Sequence, residues 1–81
     1  MKKEKFIHCI YKCSNPNIGD RIYKTDIHNI ILKRWIYDNI KSKFIDKSKY
    51  AGRSIKTDLI DWWFEYEIVE INECEALMYL I

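Results

Sequence analysis

The residues of this chain whose types could bind a metal ion or act as a nucleophile are three cysteines and two histidines. Cys9 and Cys13 have a C-x-x-x-C spacing, but four residues of an extended strand span about 13 Å, too far for both thiolates to bind one ion. His8 points away from both cysteines on such a strand. Cys9, His28 and Cys74 could form a site from three separate elements, although buried thiols and packed histidines are far commoner in proteins. We therefore expect no metal ion and no cofactor.

Side-chain pairs that could catalyse a reaction are also poorly placed. A nucleophilic cysteine needs a base within hydrogen-bonding reach and a third group that orients the base, whereas the neighbours His8 and Cys9 face opposite sides of a strand. Glu65 and Glu67 share a face, but carboxylates on an open surface are poor acid–base catalysts. The two glycines of the chain cannot build the glycine-rich loops that bind phosphates. We predict that the chain is not an enzyme.

Length and composition favour one small domain over residues 1–81. With 48% hydrophobic and 15% aromatic residues the chain is too apolar to be disordered, and its length leaves little room for a catalytic cavity beside a core. The chain begins with basic residues, as a signal peptide does. However, His8 and Lys12 interrupt any apolar run after them, and no small-residue cleavage site follows. No apolar run reaches the length of about 18 residues that a membrane span needs. The odd number of cysteines suggests reduced thiols, so we expect a cytoplasmic protein with no membrane partner.

The charge of the chain is divided between two segments. Residues 1–56 hold all 14 Lys and Arg against five acids, a net charge of +9, whereas residues 57–81 hold seven acids and no base, a net charge of −7. One interpretation is that basic and acidic elements pack side by side and neutralise each other. The other is that one charged pole faces a charged partner, because a patch of one sign steers association and selects partners.

The N-terminal half predicts a strand, a loop and one long helix. Residues 5–13, KFIHCIYKC, place apolar side chains on both faces, as a central strand does. Turn-forming residues fill Ser14–Asp20. Thr25 and the acid after it suit the start of a helix over Asp26–Lys43. Apolar residues cover more of that helix than one core requires, so we expect a second contact, either a sheet wrapped round it or another copy of the chain in a homodimer.

The C-terminal third predicts a β-hairpin. Apolar and polar residues alternate over Trp62–Ile71, and β-branched and aromatic residues are frequent there, which favours a strand. The alternation slips at 68–70, which indicates a bulge or a strong twist, and EALMYLI can return as a second strand. The fold class predicted is α+β: a small single domain with an N-terminal strand, one main helix and a C-terminal antiparallel β-hairpin packed on the helix. A helix is the alternative for 57–66, where four residues fall at helical spacing: Leu59, Trp62, Trp63 and Tyr66.

Strand geometry separates the two adjacent tryptophans, because neighbouring side chains point to opposite faces of a strand. With Trp62 in the core, Trp63 lies on the outer face among carboxylates, where an exposed tryptophan resembles an interface anchor. The alternative is that the basic segment covers this face with its Lys and Arg side chains. The predicted partner-binding residues are Trp63, Asp61, Glu65 and Glu67.

Residues 41–56 are polar and basic and predict a long connection. Phe44 and Tyr50 lie between the bases, an arrangement that suits the phosphates and stacked bases of a nucleic acid. A solvated linker is the ordinary explanation for such a run. The candidate phosphate-binding residues are Lys47, Lys49, Arg53 and Lys56.

These features predict a non-catalytic protein-binding module that uses an acidic, aromatic C-terminal sheet face against a basic, nucleic-acid-handling partner protein. In its size, acidic patch and a composition typical of AT-rich genomes, the chain resembles small phage-encoded inhibitors. The resemblance implies an anti-CRISPR or other anti-defence protein, some of which are nucleic-acid mimics. The alternative prediction is a nucleic-acid-binding or nucleotide-binding domain that uses residues 41–56.

Overall fold

The structure is a computed structural model that describes residues 4–13 and 17–81. Its strands are β1 (Lys5–Tyr11), β2 (Arg21–Thr25), β3 (Ile31–Asp38), β4 (Lys43–Asp46) and β5 (Tyr66–Ile71). They form an antiparallel sheet in the order β4-β3-β2-β1-β5. The helices are α1 (Ile55–Asp58) and α2 (Glu73–Leu80), and 3₁₀ turns span Ser48–Tyr50 and Trp63–Glu65.

The fold is mostly a sheet, so the predicted α+β arrangement of one main helix packed with a hairpin is wrong. The longer helix of the described part, α2, has eight residues and lies at the C-terminal end. No helix in residues 4–13 and 17–81 is long and apolar enough to cross a membrane.

β1 lies where the sequence predicts a strand, and it pairs with β2 on one side and β5 on the other. Of the predicted loop Ser14–Asp20, residues 14–16 lie outside the described residues, and the rest form a turn. Gly19 in this turn has a φ of +83°, and a Cβ atom there would lie 3.1 Å from Cγ of Tyr11. Glycine therefore permits both the turn and the close approach of the Tyr11 ring.

The segment predicted as the main helix, Asp26–Lys43, is instead a turn, strand β3 and a second turn. The Asp26 carboxylate accepts hydrogen bonds from the backbone N–H groups of His28 at 2.8 Å and Ile30 at 3.0 Å, and so closes a turn. Asp38 closes the turn after β3 in the same way. Short carboxylate side chains serve both helix N-termini and tight turns, which explains why the capping pattern misleads here.

β3 has apolar residues at both parities, and some of them pack on each face of the sheet. It lies between β2 and β4. Ile31 is buried on one face, while the ring of Trp35 on the other face lies 6.5 Å from that of Phe6. A strand covered on both sides needs apolar residues at successive positions, and this pattern resembles a helix that is apolar all round. Residues 26–43 therefore do not form the long apolar helix through which a homodimer was predicted.

The two faces of the sheet are covered by different segments. One face, called the core face here, is covered by α1 and the residues that follow it. Its buried cluster consists of Ile7, Cys9, Tyr23, Ile31, Ile55, Leu59 and Tyr66. The opposite face, called the helix face, carries His8 and Ile22 and is covered by α2. The ring of Tyr79 in α2 lies 4.7 Å from the ring of His8.

The predicted C-terminal hairpin is also wrong, because EALMYLI belongs to helix α2. The side chain of Asn72 accepts a hydrogen bond from the N–H of Glu75 at 2.8 Å and so caps this helix. β5 pairs instead with β1, and the register between them has no shift, so the described ladder has no bulge at 68–70. Ile68 and Val69 are both apolar because they face opposite sides of the sheet.

Candidate functional site

The exposed acids of the C-terminal segment lie at one edge of the sheet, and a group of exposed lysines lies at the other. β4, with Lys43, forms one edge, and β5, with Glu67 and Glu70, forms the other. These three side chains are exposed. Since neighbouring strands lie about 4.8 Å apart, the two edges are separated by roughly 19 Å. The acidic strand β5 therefore lies far from β4, which is itself neutral, with Lys43 and Asp46, but has exposed Lys41 and Lys47 on either side.

Asp58 does not join the acidic edge, because its side chain is only 3% exposed. The hydroxyl of Tyr23 donates a hydrogen bond to this carboxylate at 2.6 Å. Arg34 and Arg21 donate to it at 2.8 and 3.0 Å, and a guanidinium nitrogen of Arg53 lies 3.7 Å away. Burial by itself would raise the pKa of Asp58, but these hydrogen bonds and arginine charges hold it below its ordinary value.

The contacts of Asp58 fasten α1 to the sheet. Arg21 belongs to β2 and Arg34 to β3, while Asp58 is the last residue of α1. Ser54 caps α1 by accepting a hydrogen bond from the N–H of Thr57 at 3.1 Å. Asp58 is thus a structural acid, and the acidic surface is formed by exposed acids that follow it: Asp61, Glu65, Glu67, Glu70, Glu73 and Glu75.

The structure exchanges the positions predicted for the two tryptophans. Trp63 packs against the buried cluster of the core face, whereas Trp62 is 53% exposed and Phe64 is 85% exposed. The cause is the 3₁₀ turn at Trp63–Glu65, because strand alternation begins only at Tyr66 and not at Trp62 as predicted. The proposed contact between Trp63 and a partner stays a prediction.

The alternative prediction, a helix over 57–66, agrees with how the side chains of this range pack but not with the length of the helix. α1 ends at Asp58, so most of that range is not α-helical. Leu59 and Tyr66 are nevertheless buried in the cluster against which Trp63 packs. A succession of short helical turns places residues three and four apart on the same side, as one helix would.

Trp63 also lines an open pocket on the core face, beside β5. The pocket has a volume of about 460 Å³, and Ile7, Ile55 and Ile68 supply further apolar walls. Lys56, predicted from sequence to contact phosphate, lies at the same pocket. His28, Asn29 and Ser54 complete the lining, so the pocket suits a small apolar side chain with polar groups beside it.

β5 has one side to which no strand of the described residues pairs. The N–H of Lys12 donates to the carbonyl of Glu65 at 2.7 Å, and the register between β1 and β5 continues from that pair without a shift. Bonded and outward-facing residues alternate along an antiparallel ladder. The backbone groups of Glu67 and Val69 therefore face β1. Those that face outward belong to Ile68 and Glu70 and include the C=O of Tyr66, whose N–H donates to the carbonyl of Trp63.

The predicted phosphate-binding residues lie on different elements. Lys47 and Lys49 are exposed at the 3₁₀ turn that packs beside β3. Arg53 is near the buried Asp58 carboxylate, and Lys56 lines the apolar pocket. The ring of Phe44 packs against α2, so its face is not open to a stacked base.

Two of the reactive side chains elsewhere in the molecule, those of His8 and Cys9, are buried, whereas Cys13, Cys74 and His28 are exposed. Nε2 of His8 lies 3.3 Å from Oδ2 of Asp20, and both residues are buried. Asp20 also accepts a hydrogen bond from the N–H of Tyr11 at 2.9 Å, so the pair joins β1 to the turn before β2. Burial raises the pKa of the Cys9 thiol to about 12, which makes it a poor nucleophile. The residues that the structure describes contain no group of three His, Cys, Asp or Glu placed to hold a metal ion.

Sequence reasoning missed the Asp58 contacts and the pair of His8 and Asp20, because both join residues that are distant in the chain. Asp58 is 37 residues from Arg21 and 24 from Arg34. No spacing rule connects such positions before the strand order is known. Comparisons of the chain with protein-family models, curated proteins and solved structures found no match.

Proposed function

We propose that the chain is a non-catalytic protein-binding module that recognises a basic partner protein through the acidic edge of its sheet. The observation that carries this proposal is the position of the acidic segment. β5 is an edge strand, and its exposed Glu67 and Glu70 follow the exposed Asp61 and Glu65. A partner at this edge meets a surface rich in negative charge, and such surfaces steer and select partners of the opposite charge.

Exposed aromatic side chains beside these acids supply apolar contact area. Trp62 and Phe64 are exposed in the segment that leads into β5. Large aromatic residues are enriched among those that contribute most to interface affinity. A partner that carries Arg can pair with the carboxylates and also place its guanidinium over the Trp62 indole. Trp63 contributes from the wall of the adjacent pocket.

A partner that handles nucleic acid fits this surface because its binding site is rich in Lys and Arg. Under the proposal the chain acts in the cytoplasm as a small inhibitor of the phage type, such as an anti-CRISPR or another anti-defence protein. Its carboxylates would take the place of phosphates. The support for this role is the acidic edge together with the size and composition of the chain.

A selection from a random peptide library tests the function and does not require that the partner be identified first. With the whole chain immobilised, we expect the selected peptides to be enriched in Lys and Arg. Their binding should weaken between about 50 mM and about 500 mM salt, because ions screen exposed charges. The triple variant Glu65→Gln/Glu67→Gln/Glu70→Gln should lose these peptides.

A matched variant on the opposite edge serves as the control. Lys41→Gln/Lys43→Gln/Lys47→Gln also removes three exposed charges but should retain the selected peptides. Peptides without basic enrichment, or binding that is lost in the lysine variant alone, would contradict the proposal. Capture from a nuclease-treated lysate then identifies the natural partner without bridging nucleic acid.

The second candidate function is binding of a nucleic acid or nucleotide at the β4 edge. The observation that favours it is the exposure of Lys43, Lys47 and Lys49 along this edge and the turn after it. Phosphate contacts release counterions, so each Lys→Gln change should reduce the salt dependence of DNA binding by about 0.9 in log–log slope. Lys56→Gln is the control, because Lys56 lies at the apolar pocket. Absence of binding to DNA, RNA and nucleotides at about 50 mM salt removes this candidate.

The proposal includes a homodimer formed through α2. Several apolar side chains of this helix and the C-terminal residue are exposed: Leu77, Met78 and Ile81. Clustered exposed apolar residues are typical of interaction surfaces. They replace the absent long helix as the physical basis for self-association.

A further inference from the structure

The side of β5 that pairs with no strand in residues 4–13 and 17–81 combines outward backbone groups, an apolar pocket and carboxylates. We propose that an extended basic segment of the partner protein adds to β5 as a sixth strand of the sheet. This inference rests on the proposed function and specifies how the acidic edge binds. In strand addition of this kind, backbone hydrogen bonds supply affinity and alternate side chains supply specificity.

The backbone of β5 is suited to an added strand. Ile68 and Glu70 direct their N–H and C=O groups away from β1, which follows from the register that starts at the Lys12 to Glu65 hydrogen bond. Tyr66 directs its C=O the same way, whereas its N–H already donates to the carbonyl of Trp63. β5 has six residues, a usual strand length, and its ladder with β1 has no shift. A bulge that would turn this edge away from a partner is thus absent from the described ladder.

On the core face, the added strand would lie beside Ile68. This side chain is 38% exposed and forms one wall of the pocket together with Trp63 and Ile55. A residue of the added strand that points to the core face next to Ile68 can therefore place its side chain at the pocket. The apolar walls favour Val, Ile or Leu at that position.

On the helix face, the exposed side chain in the middle of β5 is that of Glu67. The neighbours of the apolar residue in the added strand point to this face, because side chains alternate. Lys or Arg at those positions lies within cross-strand reach of Glu67, and opposite charges across strands are stabilising. Glu65 and Glu70 extend the negative charge toward both ends of β5. The partner segment therefore has the pattern basic, apolar, basic.

The charge of β5 also argues against a second copy of this chain as the occupant. Antiparallel pairing of two β5 strands would join two segments that each carry Glu67 and Glu70, and a register centred on either residue sets that glutamate opposite its own copy. Like charges on facing strands are destabilising. Charged side chains on natural sheet edges oppose self-pairing in this way, and a basic segment does not meet that repulsion.

Hydrogen exchange of single amides, followed by NMR on the whole chain, tests the proposal. The probe is a peptide of about seven residues with blocked ends, in which Lys alternates with Val. On addition of the peptide, the N–H groups of Ile68 and Glu70 should exchange at least about tenfold more slowly. The N–H of Tyr66 already donates to the carbonyl of Trp63 and should change little. The N–H groups of Glu67 and Val69 already bond to β1 and should change little.

Backbone methylation of the peptide provides a control that preserves its charge and side chains. Methyl groups on the amides that face β5 should weaken binding roughly thirtyfold, because about two hydrogen bonds are lost. Methylation of the amides of opposite parity should have little effect. In the protein, Glu67→Gln should weaken binding about fivefold at low salt, whereas Glu75→Gln on α2 should not.

The possible outcomes separate this inference from the function on which it rests. Alternating protection of the β5 amides supports strand addition. A peptide that binds and depends on Glu67 but gives no alternating protection overturns strand addition and leaves the acidic-surface function intact. If no basic peptide, designed or selected, binds the chain, both proposals fail. Outward amides that are already protected in the free chain and lose protection on dilution would show β5 paired with a second copy, which also overturns the inference.

Discussion

At the scale of single residues, Asp58 accepts hydrogen bonds from side chains of two strands while it ends a helix. Tyr23, Arg21 and Arg34 all contact the same carboxylate. Removal of this one charge would leave positively charged groups at the sheet without their counter-charge. Breaking a buried ion pair from one side typically costs about 3–5 kcal/mol, which is a large part of the stability of a small domain.

We expect Asp58→Asn to lower the free energy of unfolding by about 3 kcal/mol near neutral pH, because Asn keeps the shape but not the charge. The loss should shrink in acid. The pKa of Asp58 is lower in the folded chain than its ordinary value of 3.8, so the unfolded chain binds the proton more readily. The stabilisation is therefore complete above that value and is lost as pH falls through the lower folded pKa.

Urea unfolding of the parent chain and Asp58→Asn at neutral and acidic pH measures this difference. The control is Asp61→Asn, since Asp61 is exposed and should change stability by less than about 0.5 kcal/mol. A stability difference between the parent and Asp58→Asn that is the same at both pH values would show that the carboxylate charge is not responsible.

The two tryptophans should respond in opposite ways to truncation. Trp63→Ala removes a partly buried indole from the core cluster and should destabilise the fold by about 2–3 kcal/mol, below the usual cost for a fully buried Trp. Trp62→Ala should leave the melting temperature nearly unchanged and weaken partner binding by about 2 kcal/mol. Thermal melts and titrations with a selected basic peptide measure both effects. Equal losses of stability would contradict the packing of the two residues.

At the scale of elements, local patterns identify some segments and mislead on others. β1 could be predicted because its alternation is confined to neighbouring residues. β3 could not, since its two apolar parities result from covering segments that come later in the chain. The turn that precedes it uses Asp26 in a way that resembles a helix start. β5 begins four residues later than predicted because a 3₁₀ turn interrupts the alternation at Trp63–Glu65.

α2 was predicted as a strand, yet its start carries a recognisable helix signal. Asn72 caps the helix through the N–H of Glu75. We expect Asn72→Ala to lower the stability by about 1 kcal/mol, as loss of an N-cap usually does. Asn72→Asp should retain it, because Asp also accepts this hydrogen bond and its charge is favourable at a helix N-terminus. Urea unfolding compares the variants, and equal loss in both would argue against a capping role.

At the scale of the whole molecule, the sheet separates two candidate binding surfaces that the sequence could only place in two segments. Its order puts β4, with exposed lysines around it, and the acidic strand β5 at opposite edges. The candidate site could be predicted as far as its residue types, since Asp61, Glu65 and Glu67 are indeed exposed. Its outward backbone groups and its pocket depend on the pairing of β5 with β1, which is a long-range contact that local spacing does not encode.

The salt dependence of self-association can distinguish a dimer formed through α2 from association of the sheet edges. A dimer through the exposed apolar residues of α2, among which Met78 is 78% exposed, should be insensitive to salt or strengthened by it. Association of the acidic edge with the basic edge of another copy should weaken with salt and extend into longer chains, because such a contact does not close on itself.

We therefore expect light scattering coupled to gel filtration to give the mass of a dimer at about 100 µM, as for a dissociation constant in the micromolar range. Leu77→Glu/Met78→Glu places charges in the proposed contact and should yield a monomer without unfolding, because both side chains are exposed in a single chain. Glu67→Lys, on the edge strand β5 and outside α2, should leave the dimer intact. A parent chain that remains a monomer at this concentration removes α2 as a contact surface, and higher oligomers that dissolve in salt would assign self-association to the sheet edges instead.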